Sequence, residues 1–281
     1  MNNKKTPKQI AALTCVVLLV LLYIVTFIAA FFAGKGGTRL FVICAALTII
    51  IPIATWGFIW MFGKLTNKHT IADLYDENKA PAIKNVIFDI GNVLTNYRWH
   101  DFMVDKGYTE EQIERLAKAT VYNAAWSEFD RGVFTEEEIL QAFIKEDPEI
   151  EDWIRHVFAD VKELVTKRDF AIPWLEDLKS KGYKVFYLSN FSEKAKNECA
   201  DALDFIPHMD GGYLSYSVKL IKPDAKFYNL LLDTYNLKAE ECVFIDDTPK
   251  NIEAGEALGI RGIVYKDYEQ VKADLAAMGV K

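Results

Sequence analysis

Three short apolar runs in this 281-residue chain each end in residues able to do chemistry. Val86-Ile87-Phe88 leads into Asp89, Val185-Phe186-Tyr187-Leu188 into Ser189-Asn190, and Val243-Phe244-Ile245 into Asp246-Asp247, with Lys222-Pro223-Asp224 between the last two. Any one run has a bland explanation, because strands commonly exit into polar turns. Three together, two of them ending in carboxylates, call for a different account. If the runs are neighbouring parallel strands, ligands bind outside their carboxyl ends, and acid, hydroxyl and amine groups converge on one crevice.

The elements that must position these residues are legible around them. After about Asp169, strands and helices alternate. Pro173–Lys181 reads as a helix stopped by Gly182, Lys184–Ser189 as a strand, Ser192–Leu203 as a helix, Asp224–Tyr235 as a helix and Cys242–Asp247 as a strand. Thr248-Pro249 is an N-cap and N1 pair for a helix over Asn251–Leu258, and Arg261–Tyr265 forms another strand. Such alternation predicts an α/β fold with a doubly wound parallel sheet covered on both faces. Between Tyr97 and Asp169 the pattern is helical instead. Thr109-Glu110-Glu111-Gln112 and Thr135-Glu136-Glu137-Glu138 have the form of capping boxes, and Ile139, Leu140 and Phe143 follow at helical spacing. This block predicts a helical module over about 97–169, inserted after the first strand.

The order Phe88-Asp89-Ile90-Gly91-Asn92-Val93-Leu94, Leu188-Ser189-Asn190, Lys222-Pro223-Asp224 and Phe244-Ile245-Asp246-Asp247 with Asn251 resembles the four motifs of the haloacid dehalogenase (HAD) superfamily. Its members are mostly phosphatases. The resemblance runs from about Asn85 to the C-terminus and is closest to sugar-phosphate phosphatases with Asp-x-Gly-Asn in the first motif; it implies a Rossmann-like core with a helical cap. By that resemblance Asp89 is the nucleophile that takes the phosphoryl group, and it also ligates Mg²⁺. The Gly91 backbone carbonyl and Asp247 add further oxygens. Asp246 either joins the metal set or only orients Lys222. A cation between carboxylate and phosphate is physically required because the two anions repel, and Mg²⁺ favours few carboxylates plus water and phosphate oxygens. Ser189 and the Asn190 backbone would donate to the phosphoryl oxygens and Lys222 would add charge there, where donors matter most as charge redistributes.

One departure from the family pattern stands out. Most phosphatases of the superfamily carry a second aspartate two residues after the nucleophile as general acid and base, and here that position is Gly91. Losing positioned acid–base catalysis costs about 10²–10⁴-fold, unless the leaving group departs unprotonated or the substrate or cap supplies a donor. A sugar-1-phosphate leaves as an anomeric oxyanion, less basic than a simple alkoxide, which makes it the preferred substrate on this reading. The expected function is thus hydrolysis of a small phosphorylated metabolite through an aspartyl phosphate. Two alternatives remain: a weakly active phosphate-binding or scaffold protein, and a dehalogenase-type hydrolase, whose branch lacks the paired carboxylates that Asp246-Asp247 retain. His100, His156 and His208 follow no ligand spacing, Trp99 and His100 are candidates for the pocket lining, and Arg131 reads as a helix-end charge.

The N-terminal part has a different character. Residues 11–32 and 40–62 contain no charged residue, and each is long enough to cross the ~30 Å hydrocarbon layer, which takes about 20 residues. The expectation is a membrane anchor over 1–63 with two transmembrane helices, then a linker over 64–82 and a hydrolase domain over 83–281. A cleaved signal peptide or a buried soluble hairpin is the competing reading. Lys4, Lys5, Lys8, Lys64 and Lys68 outside the hairpin against Lys35 and Arg39 in its turn place both ends in the cytoplasm. Residues 1–82 hold eight of the 33 basic and three of the 40 acidic residues, so the remainder carries 25 against 37, a net charge of −12. That balance argues against nucleic acid as a partner. The lipid bilayer is the partner expected, and no protein partner is named by any motif. Four cysteines show neither zinc nor disulfide spacing.

Overall fold

The structure, a computed structural model, describes residues 81–281 and, before them, only Ile24, Val42 and Ala46. The hairpin expected over 11–32 and 40–62 and nearly all of the linker therefore lie outside the described residues. Among the described residues no helix is long and apolar enough to cross a membrane.

The described residues 81–281 form one unit. Its centre is a five-stranded parallel sheet in the order β5-β4-β1-β6-β7, with β1 Asn85–Phe88, β4 Lys184–Ser189, β5 Gly211–Leu214, β6 Cys242–Asp246 and β7 Arg261–Val264. The central strands are continuous apolar runs because both faces are covered: every residue of β1 and β6 is buried. The register pairs Phe88 with Tyr187 on one side and with Ile245 on the other. Asp89 consequently emerges level with Asp246 and one residue short of Ser189, so the three polar exits share one end of the sheet.

Helices fall close to their expected positions: Ala171–Ser180, Ala225–Thr234 and Pro249–Glu256 each lie within two residues of the spans read from sequence. The helix expected over Ser192–Leu203 is broken into an α-helix Glu193–Glu198 and a 3-10 turn Ala200–Leu203. Strand β5 escapes a sequence reading because it opens with Gly211-Gly212, and glycine is depleted in strands. Both glycines are required by close approach at φ 151° and 149°: a Cβ on Gly211 would fall 2.3 Å from the Tyr235 hydroxyl, and one on Gly212 2.2 Å from the Tyr187 carbonyl oxygen.

The inserted block does not begin as a helix. A two-stranded antiparallel ribbon, β2 Thr95–Tyr97 and β3 Val165–Lys167, carries the chain out to the cap and back. Arg168 fastens this ribbon to the core, with Nε donating to the Thr95 carbonyl at 3.1 Å and Nη1 donating to the Tyr265 hydroxyl at 2.9 Å. Between the ribbon strands lie five α-helices: α1 Trp99–Asp105, α2 Glu110–Ala119, α3 Ala125–Arg131, α4 Glu136–Glu146 and α5 Glu151–Ala159. Both expected capping boxes are present, on Thr109 and Thr135. The cap has its own aromatic core, in which Trp126 stacks on Phe143 at 6.1 Å between centroids and Phe143 meets Phe158 at 5.2 Å. Phe143 is fully buried there. Replacing it with alanine is expected to cost about 3–5 kcal/mol, the range for emptying a buried aromatic site; thermal or urea unfolding of the variant measures this directly.

Candidate active site

The site is assembled at the carboxyl end of the sheet. Asp89 follows β1, its backbone N–H donating to the Ile245 carbonyl at 2.8 Å, which locks the first motif to β6. The side chain is buried, as are Ser189, Lys222 and Asp246. Lys222 occupies the middle of the group, its ammonium 2.6 Å from Asp246 Oδ2 and 2.8 Å from Asp89 Oδ1. Its backbone is held by Asn190, whose carboxamide accepts from the Lys222 N–H at 2.8 Å and donates to the Lys222 carbonyl at 3.0 Å. The Lys222–Pro223 peptide bond is cis. The Lys222 side chain itself is buried, enclosed by Asp89 and Asp246.

Asp246 is fully engaged. Oδ1 accepts from the Thr248 N–H at 2.8 Å and from Asn251 Nδ2 at 3.0 Å, while Oδ2 receives Lys222 and Asn251. These bonds make it a partner of Lys222, one of the two roles open to it. Thr248 does precede the helix Pro249–Glu256, yet its side chain makes no cap bond. Asp247 turns the other way, into the cavity, where Oδ2 accepts from Asn92 Nδ2 at 2.8 Å. Asn92 reaches it from a left-handed conformation with φ 56°. Gly91 also borders the cavity, and a Cβ built on it meets nothing within 4 Å.

Asp89, Asp246 and Asp247 each offer an oxygen, and these lie within 4.8 Å of one another. Two further observations make this donor set a fit for a hard divalent cation beside a phosphate. Burial, opposed by Lys222 and reinforced by Asp246, lifts the Asp89 carboxyl to about 6, so its charge is undercompensated by the protein alone. Asp89 Oδ1 is met by the Lys222 ammonium, whereas Ser189 Oγ is buried with no aligned hydrogen-bond partner among the described residues. A buried hydroxyl left in this state beside a carboxylate cluster is a group that a phosphoryl oxygen would satisfy.

Above this floor opens a cavity of about 380 Å³, within the ~300–1,000 Å³ typical of small-molecule sites. Six aromatic residues line it, Tyr97, Trp99, Trp126, Phe129, Phe158 and Phe191, beside the polar Asn92, Asp130, Asn190, Ser192 and Thr248. Trp99 lines it as its position after the first strand suggested; His100 does not and instead pairs at the surface with Glu110 at 3.0 Å. His156 meets Tyr108 and His208 meets Glu176, both away from the site. Arg131 pairs with Glu128 on its own helix at 3.4 Å, in keeping with a helix-end charge. Sequence reading passed over Asp130 and Ser215. Ser215 Oγ donates to the Asp130 carbonyl at 2.5 Å and accepts from the Phe191 N–H at 2.9 Å, which ties the cap to the loop after Ser189. Neither residue carries a local signal, because the contact spans 85 positions.

Residues 83–259 match the family model of the haloacid dehalogenase-like hydrolases. Among curated proteins, the chain is 25% identical over 197 residues to the drimenol cyclase drtB of Aspergillus calidoustus, spanning 69% of this chain but 36% of the cyclase. It is 23% identical over 187 residues to the sesquiterpene phosphatase astK of Aspergillus oryzae, spanning 66% of this chain and 91% of that one. Among solved structures, a mutant HAD family enzyme of Bacteroides thetaiotaomicron, in complex with magnesium and inorganic phosphate, superposes with a TM-score of 0.54 at 19% identity, over 68% of this chain and 99% of that one.

Proposed function

The chain belongs to the haloacid dehalogenase-like hydrolase family, and from that premise we propose that it is a Mg²⁺-dependent phosphatase that cleaves a small phosphomonoester by transferring the phosphoryl group to Asp89. The observation that carries this reading is the meeting of Asp89, Asp247 and Lys222, drawn from three separate segments, at the floor of one cavity. The carboxylates of Asp89 and Asp247, with the Gly91 carbonyl, would hold the cation. When bound it supplies the positive charge that lets a carboxylate approach a phosphate dianion.

The chain's own groups account for the remaining steps. The free carboxylate oxygen of Asp89 attacks phosphorus. Ser189 Oγ donates to a phosphoryl oxygen, the Asn190 backbone N–H supports another, and the Lys222 ammonium adds charge beneath them; Asp246 and Asn190 hold that ammonium in place so that no reorganisation is needed as charge develops. Water then attacks the aspartyl phosphate to release inorganic phosphate.

The cavity walls bear on the alcohol. A sugar presents several hydroxyls, each of which needs a new partner in the cavity, where Asn92, Asp130, Asn190, Ser192 and Thr248 offer polar groups and six aromatic residues offer none to an aliphatic hydroxyl. An apolar or flat alcohol buries its surface against those same walls. This favours such an alcohol over the sugar-1-phosphate expected from sequence, and the sesquiterpene phosphatase among the relatives supports the same direction. An anchor formed by residues 11–32 and 40–62 would hold such an enzyme at a bilayer, with its catalytic domain in the cytoplasm; carbonate extraction of membranes bearing the full chain tests that attachment.

For the reaction itself, the purified chain is expected to release phosphate from phenyl phosphate in Mg²⁺. Exhaustive EDTA treatment should lower the rate by about 10²-fold or more, since a charge-stabilising cation is worth several kcal/mol, and restored Mg²⁺ should recover it. Undiminished activity in EDTA removes the metal from the reading, and no release from any phosphomonoester removes the phosphatase.

A further inference from the structure

Phosphoryl transfer to Asp89 leaves an alkoxide, and hydrolysis of the aspartyl phosphate needs a proton taken from water. Neither step is served by Gly91, which has room for a side chain and none to offer. Among the described residues lining the cavity, the titratable side chains are Asp89, Asp247, Tyr97 and Asp130. The first is the nucleophile, and the second faces the cation site and is bonded to Asn92. Tyr97 is buried, and desolvation followed by the nearby Asp130 carboxylate keeps its hydroxyl protonated well above the ordinary tyrosine range. It cannot cycle a proton near neutrality.

Asp130 is of another kind. It lies in the last turn of α3, in the cap, and lines the same cavity as Asp89. Its main chain is fixed by two contacts to the core: the Ser215 hydroxyl donates to its carbonyl, and the Lys219 ammonium donates to the carbonyl of Gly132 two residues on. The fit at that point is tight, because a Cβ on Gly132 would come within 2.9 Å of Tyr216. The residue is thus carried into the cavity lining by a docked helix end rather than by a free loop. It is partly buried, beside the Trp126 side chain, and near enough to Asp89 and Lys222 to feel both charges. Burial, opposed by a hydrogen bond from the Trp126 side chain and by Lys222 and reinforced by Asp89, raises the Asp130 carboxyl to about 7, where protonated and ionised forms coexist at neutral pH.

Resting on the phosphatase reading above, we propose that Asp130 is the catalytic acid and base of this enzyme, supplied by the cap in place of the side chain that position 91 lacks. In the first step the P–O bond to the alcohol breaks as the Asp89–phosphorus bond forms, and the Asp130 carboxyl proton passes to the departing oxygen. In the second, the ionised Asp130 accepts a proton from the water that attacks phosphorus, the bond from Asp89 to phosphorus breaks, and inorganic phosphate leaves with Asp130 protonated again. The cap therefore both walls the cavity and completes the chemistry.

The test is leaving-group dependence in the full chain with Mg²⁺. The wild type is expected to turn over both 2,4-dinitrophenyl phosphate, whose phenolate needs no proton, and benzyl phosphate, whose alkoxide does. Asp130→Asn should lose benzyl phosphate turnover by about 10²–10⁴-fold. It should still give a stoichiometric burst of dinitrophenolate followed by slow turnover, because the first step is spared and the aspartyl phosphate accumulates. Benzyl phosphate hydrolysis by Asp130→Asn at the wild-type rate overturns the proposal and leaves the phosphatase reading intact. So does loss of the burst in a variant that melts like the wild type, which would mark Asp130 as structural. If Asp130→Asn fails to fold, Asp130→Ser is read by the same two outcomes. A wild type silent on both esters withdraws the phosphatase reading itself, and the proposal with it.

Discussion

Asp89→Asn is expected to abolish phosphate release, by at least about 10⁴-fold, the scale seen when a covalent nucleophile is removed. The carboxamide nearly matches the carboxylate in size, so the cavity and sheet are preserved, but its lone pairs are poor nucleophiles and its charge no longer meets the cation. Lys222 keeps its stronger contact, the 2.6 Å bond to Asp246, so the floor of the site does not collapse. Loss of activity with an unchanged thermal melt is therefore the expected pair of results. Release of phosphate from phenyl phosphate by Asp89→Asn at a rate near the wild type would sink the aspartyl-phosphate route, whatever the fold.

Lys222→Met is expected to act on stability rather than on chemistry alone. Burial by itself would lower the Lys222 pKa, but Asp89 and Asp246 more than offset this and raise it, so the ammonium stays charged inside the protein. Removing it leaves two buried carboxylates facing each other without compensation. Breaking a buried pair in this way costs about 3–5 kcal/mol, which in a domain of this size lowers the melting temperature by roughly 6–20 °C. Adding Asp246→Asn should recover part of the loss, because the second variant removes the uncompensated charge and the two residues are coupled. A Lys222→Met protein with a wild-type melt would mean that the ion pair is not what holds the site.

Much of this arrangement was legible before any coordinates, for a local reason. The runs before Asp89, Ser189 and Asp246 read as strands because a strand buried on both faces must be apolar throughout, and that constraint is written in consecutive residues. The same holds for the capping boxes on Thr109 and Thr135, where the hydroxyl and its partner are three residues apart. The four motifs could be placed because each is a strand end or a loop beside one.

The rest depended on residues that meet only when the chain is folded. Asp246 carries no sequence mark distinguishing a metal ligand from a lysine partner; that depends on Lys222 and Asn251, which take its oxygens. Strand β5 hides behind two glycines because the surface their missing side chains would fill belongs to Tyr235 and Tyr187. Asp130 carries no mark in the sequence, because its place in the cavity lining depends on Ser215 and Lys219, which dock its helix end from 85 or more positions away. Local pattern records what a residue needs from its neighbours in the chain, so the sequence by itself determined the strands, the caps and the inventory of chemical groups. Which groups face one another is decided by packing between distant segments, and only the tertiary structure could assign Asp246 to Lys222 and bring Asp130 to the mouth of the site.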